Sequence, residues 1–91
     1  MFIIGIDPHK GSHTAAAIDS DEQLVGETLV CADRRQRDRL LRWAAPFEPR
    51  LWAVEGATGH GALLSQQLIA VGETVVDVPA ALSARARPHK S

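Results

Sequence analysis

Phe2-Ile3-Ile4-Gly5-Ile6-Asp7-Pro8 and Leu51-Trp52-Ala53-Val54-Glu55-Gly56 follow one pattern: a short apolar run, an acid, then a strand-breaking residue. Such runs, closed by Pro or Gly, read as buried strands. If the two strands are parallel neighbours, both carboxylates leave the sheet at its carboxyl edge, with the backbones about 4.8 Å apart. Hard oxygen ligands fixed that close suit Mg2+ or Mn2+. Without a cation, adjacent carboxylates repel and one tends to keep a proton. A single acid at a strand end is usually a solvated terminus; its repetition singles out Asp7 and Glu55 as candidate catalytic and metal-ligating residues.

The remaining elements build outward from these runs. Pro8 to Ser12 is a turn by composition, and His13 to Ser20 reads as a second strand between two turn clusters. Leu24 to Val30 reads as a third, with Leu24, Gly26, Thr28 and Val30 on one face. The three form an antiparallel meander. Asp33 then caps a helix over about Arg34 to Ala45, whose apolar stripe is Leu40, Leu41, Ala44 and Phe47. After the run ending at Glu55 comes a glycine-rich loop, Gly56 to Gly61. A second helix follows to Val71, with Leu64, Leu68 and Val71 inward and Gly72 as its C-terminal cap. Glu73 to Val78 contains the fifth strand. Residues 80–91 can begin a helix but carry no core pattern. The order βββαβαβ describes a mixed α/β sheet, and right-handed crossovers make the strand at 51–55 parallel to that at 2–7.

Composition bounds the rest. Ninety-one residues, 45% of them hydrophobic, make one small globular domain. The net charge of −1 gives no overall pull toward nucleic acid or membrane, yet five of the ten Lys and Arg residues fall between Arg34 and Arg42. Arg34, Arg35 and Arg39 are candidate nucleic-acid contacts, though an arginine-rich helix is also commonly just a solvated face; Lys10 and His13 follow Asp7 on the turn and the next strand. Cys31, the only cysteine, forbids an internal disulfide and reads as a small buried hydrophobe. The histidines have no zinc-ligand spacing, and His60 reads as a loop residue. Trp43 and Trp52 read as core. The amino terminus lacks a signal-peptide pattern and no apolar stretch reaches membrane-spanning length, so a soluble cytoplasmic protein is expected.

The stretch Ile4-Gly5-Ile6-Asp7-Pro8-His9-Lys10-Gly11-Ser12-His13-Thr14-Ala15-Ala16-Ala17-Ile18-Asp19 resembles the opening of a family of bacterial insertion-sequence transposases. Their N-terminal DEDD domain is of the ribonuclease-H-like, Holliday-junction-resolvase type. Ala53-Val54-Glu55-Gly56-Ala57-Thr58-Gly59-His60-Gly61 resembles the family's second acidic motif, and Val75-Val76-Asp77-Val78-Pro79 resembles the strand after it. The resemblance covers essentially the whole chain. It implies a ribonuclease-H-like sheet, DNA as partner, and four acids that hold two divalent metals, of which Asp7 and Glu55 match the first two; it also implies that Lys10 and His13 lie near the acidic centre as candidate nucleic-acid contacts. Some family members are directed by a structured RNA.

The resemblance also implies that residues 1–91 are part of the N-terminal domain, ending before the last helix and the other two acids, with the serine-bearing C-terminal domain absent. Two acids of four leave the metal cage incomplete, so the chain alone is expected to be inactive. Asp77, inside the fifth strand, is not expected to substitute. The uncovered sheet face implies limited stability or self-association. Two rival readings remain: an actin-like or sugar-kinase-like ATP-binding fragment, which also opens on a Gly-Ile-Asp strand, and a non-enzymatic remnant.

Overall fold

A computed structural model describes residues 1–79. The elements follow the expected order: β1 (Phe2–Pro8), β2 (Ser12–Ile18), β3 (Leu24–Cys31), α1 (Gln36–Ala44), β4 (Arg50–Glu55), α2 (Ala62–Ala70) and β5 (Val75–Val78). They build one five-stranded sheet in the order β3-β2-β1-β4-β5. The β1–β2 and β2–β3 pairs are antiparallel, while β1–β4 and β4–β5 are parallel. Residues 80–91, expected to be able to begin a helix, lie outside the described residues.

Alternation along the strands sends one set of side chains to each face. Ile4, Ile6, Ala15, Ala17, Val30, Trp52 and Val54 share one face and form the core with Leu40 and Ala44 of α1 and Leu64 and Leu68 of α2. Both helices therefore lie on the same side of the sheet. The opposite face carries no helix among the described residues, and Ile3, Leu29 and Val76 are exposed there at 38%, 63% and 41%.

Three local expectations are corrected. Leu24 does not join Gly26, Thr28 and Val30 on the core face. The ladder shifts register between Ala17 and Ile18, so β3 spends an extra residue there and Leu24 emerges 57% exposed. Val71 is 45% exposed because α2 closes before it. Gly72 (φ +90°) donates to the Ile69 carbonyl, and the Glu73 N–H donates to that of Leu68, a Schellman closure. Cys31 is exposed rather than buried, since it ends the edge strand in the outward phase.

Helix α1 also starts later than Arg34. The Asp33 carboxylate accepts the Arg35 N–H at 2.9 Å, and its carbonyl accepts the Gln36 N–H at 3.0 Å, so Asp33 shapes a turn ahead of the first helical residue. Trp52 is fully buried, and Trp43 packs edge-on against Phe47 with ring centroids 5.2 Å apart. At the amino edge of the parallel strands, Glu73 receives Arg50 Nε and Nη2, each at 3.0 Å, and Trp52 Nε1 at 2.7 Å. This cluster anchors the turn before β5 to β4.

Candidate metal centre and nucleic-acid edge

β1 and β4 run side by side with Ile6 opposite Val54. One step further along each strand stand Asp7 and Glu55. Since Ile6 and Val54 point into the core, the two acids point to the face without helices. The sequence thus places both carboxylates on adjacent strands at one sheet edge, as their shared position at the end of an apolar run implies. The Asp7 side chain is 32% exposed, and His9 Nε2 lies 3.4 Å from its Oδ2. Among the described residues no group of three or more His, Cys, Asp or Glu side chains is arranged to hold a metal ion. The donor chemistry still fits a hard cation, since Mg2+ is commonly held by one or two carboxylates together with waters and substrate phosphates.

Chain direction decides what else reaches this edge. β1 and β3 both end here and β2 begins here, so the β1–β2 turn and the β3–α1 loop lie at the same sheet edge as Asp7. The turn is closed by the His9 N–H donating to the Ser12 carbonyl at 2.8 Å. The Ala32 N–H donates to the Gly11 carbonyl at 3.0 Å and ties the loop to the turn. Lys10, Arg34 and Arg35 are exposed on these connections. Arg39 lies one turn into α1 and is paired with Asp33 at 3.3 Å, while Arg37 is paired with Asp38 at 3.0 Å.

His13 is corrected most sharply. Expected beside Asp7 as a nucleic-acid contact, it is 2% exposed and faces the helices. Asp7 pairs with Thr14, so His13, one residue away, points through the opposite face. Its Nε2 donates to Gln36 Oε1 at 2.8 Å, and Gln36 Nε2 donates to Gln67 Oε1 at 2.9 Å. It joins β2, α1 and α2 and is shielded from any phosphate.

The loop after Glu55 is held from two sides. Gly61 is buried, and a Cβ there would stand 2.7 Å from Val54 Cγ1 and 3.0 Å from Pro8 Cγ. The backbone thus wedges between the residue after Asp7 and the residue before Glu55, which only glycine permits. From β5, Asp77 Oδ1 accepts the Ala57 N–H at 2.9 Å. His60 is exposed in this loop, as expected. Sequence reading passed over His9, Gly61 and Asp77 as parts of the site; the available signal for Asp77 was an acid in the helix-facing phase of an otherwise apolar strand.

Residues 4–91 match the DEDD transposase family of the IS110 type. The chain belongs to this family. A Streptomyces clavuligerus relative, the insertion element IS116 uncharacterized 44.8 kDa protein, is 38% identical over 76 residues. That alignment takes in 84% of this chain and 19% of the relative, so the chain spans about a fifth of the curated relative's length.

The fold agrees with the family. RuvC of T. thermophilus, solved with a Holliday junction substrate, superposes with a TM-score of 0.71 at 18% identity, over 97% of this chain and 70% of that one. The fowlpox virus Holliday junction resolvase gives a TM-score of 0.59 at 11% identity, over 87% and 61%. The architecture is the mixed α/β sheet expected from the order βββαβαβ, and its likeness to these resolvases agrees with the ribonuclease-H-like fold that the family resemblance implied. Membership of the DEDD family sets the ATP-binding reading aside, and the family implies dependence on a divalent metal. Among the described residues no helix is long and apolar enough to cross a membrane.

Proposed function

We propose that this chain contributes the first two carboxylates of the catalytic centre of a DNA transposase. Asp7 and Glu55 hold a divalent cation, Mg2+ or Mn2+, at the carboxyl edge of β1 and β4. Lys10, Arg34 and Arg35, on connections at that edge, take the flanking DNA phosphates. The observation that carries this reading is the convergence of two strand-terminal acids on adjacent parallel strands, one register step past Ile6 and Val54.

When bound, such an ion polarises a phosphoryl oxygen and helps generate the attacking oxygen nucleophile. The protein groups supply its fixed ligands and orient the backbone of the scissile strand. Two-metal chemistry needs ligands beyond this pair. Arg39 is a weaker contact, because Asp33 already engages it. Work on DNA places the protein in the cytoplasm. A structured RNA from the same element is a further partner within this reading, and the sheet face without a helix among the described residues offers exposed Ile3, Leu29 and Val76 for self-association.

The test is Mn2+ binding by calorimetry in the parent chain, in Asp7→Asn and in Glu55→Gln. Each substitution should weaken binding at least about tenfold, as loss of one of few ligands implies. Unchanged affinity in both variants would remove the metal site from the proposal.

A further inference from the structure

The six-residue connection from Gly56 to Gly61 contains three glycines and follows directly on Glu55. Glycine-rich backbone loses more freedom on ordering than any other, so such a loop needs fixed points. Its internal bonds run from the Gly59 N–H to the Gly56 carbonyl at 2.9 Å and from the Ala62 N–H to the Gly59 carbonyl at 3.0 Å. These shape the loop without attaching it to the sheet. Attachment to β5 comes through two bonds: the Gly56 N–H donates to the Val78 carbonyl at 3.1 Å, and the Ala57 N–H donates to Asp77 Oδ1 at 2.9 Å. Only the second is made by a side chain, and its acceptor is a carboxylate, the stronger kind of partner.

We propose that Asp77 is a positioning residue for the metal pair, acting through Ala57 on the backbone that carries Glu55. Val54 and Asp77 are register partners, so the Asp77 side chain stands on the helix-facing side of the sheet, opposite Glu55. From there it is not a ligand; it fixes the chain just beyond one. Ala57 packs partly against the core, so the Asp77 bond and that contact hold the same residue from two directions. With Gly61 seated between Pro8 and Val54, the loop is then fixed at both ends, and the separation of the strand ends bearing Asp7 and Glu55 is fixed with it.

This inference rests on the reading of Asp7 and Glu55 as metal ligands, and its experiment separates the two. Mn2+ affinity by calorimetry and exchange of the Ala57 amide by NMR are measured on the full chain, Asp77→Ala, Asp77→Asn and Glu55→Gln. In Asp77→Ala, Ala57 exchange should accelerate without metal, and Mn2+ binding should weaken about tenfold, the low end of what outer-shell losses cost a metal site. Asp77→Asn keeps an oxygen acceptor and should retain protection of Ala57 and near-parental affinity. Thermal melting of each variant confirms that it is folded at the assay temperature.

Fast Ala57 exchange with parental Mn2+ affinity in Asp77→Ala would overturn the positioning role. So would an Asp77→Asn variant that protects Ala57 yet binds Mn2+ as poorly as Asp77→Ala, because charge and not position would then be at work. Parental protein that binds no Mn2+, or binds it as well after Glu55→Gln, would instead overturn the metal reading beneath both.

Discussion

Replacing Glu73 tests how the sheet edge opposite Asp7 and Glu55 is held. Its carboxylate takes two bonds from Arg50 and one from the indole of Trp52, a fully buried residue. The Arg50 and Glu73 side chains are 12% and 17% exposed, so the pair is substantially desolvated. Removing one partner of such a pair costs about 3–5 kcal/mol, and an orphaned buried N–H costs about 1–3 kcal/mol. These overlap, and Arg50 keeps Glu48 at 3.1 Å and the Ala44 carbonyl at 3.3 Å. The expected cost of Glu73→Ala is therefore about 3–4 kcal/mol, from a total stability of about 5–15 kcal/mol. Glu73→Gln retains an acceptor for Trp52 and should cost about 1–2 kcal/mol. For a domain of this size Glu73→Ala should melt at least about 12 °C lower than the parent.

The same residue gives a pH dependence of known sign. Burial opposes ionisation of Glu73, but the Trp52 and Arg50 hydrogen bonds and the Arg50 charge outweigh it and hold its carboxyl below the ordinary 4.5. Its ionised form thus stabilises the fold above the unfolded value, and that contribution is lost as pH falls through the lower folded value. Melting followed by circular dichroism between pH 7 and pH 3 should show the parent losing its advantage over Glu73→Gln below about pH 4.5. Equal melting of Glu73→Ala and Glu73→Gln at pH 7, or a parent–Gln difference constant across the acid range, would refute the reasoning.

Gly61→Ala should destabilise by about 1–3 kcal/mol, because its Cβ meets Val54 and Pro8 and overpacked sites respond on that scale; chemical denaturation measures it, and a neutral effect would deny the wedge. Alanine at Lys10, Arg34 and Arg35 together should lower DNA affinity and flatten its salt dependence, by about 0.9 in the log–log slope for each phosphate no longer neutralised; an unchanged slope would take these residues off the interface. His13→Ala should cost about 2–4 kcal/mol through the cavity and the unpaired Gln36, while Mn2+ affinity at a temperature where the variant stays folded is unchanged. Sedimentation should show concentration-dependent association that Leu29→Lys, on the face without a helix among the described residues, reduces; a parent that stays monomeric at high concentration would count against it.

The parts of the site that were legible lie where local pattern and tertiary position coincide. Asp7 and Glu55 end apolar runs, and an acid in that position can lie only at a sheet edge. Lys10, Arg34 and Arg35 were legible as candidates, but the common edge they occupy depends on strand direction. His13 misled because nearness to Asp7 along the chain says nothing about which face a residue takes. Asp77 and Gly61 were missed because their partners, Ala57 and Pro8, are far away in sequence.

The sequence by itself determined the order of elements and the strand-terminal positions of the two acids. Those follow from hydrophobic period, turn residues and the length of each apolar run, all local properties. Tertiary structure alone decided that both helices cover one face, leaving Asp7 and Glu55 on the other. It also turned Leu24 outward through a bulge, and made His13 a core residue bonded to Gln36. Each of these outcomes is fixed by register and layer packing between segments distant in the chain, where a one-residue shift reverses the face of a side chain.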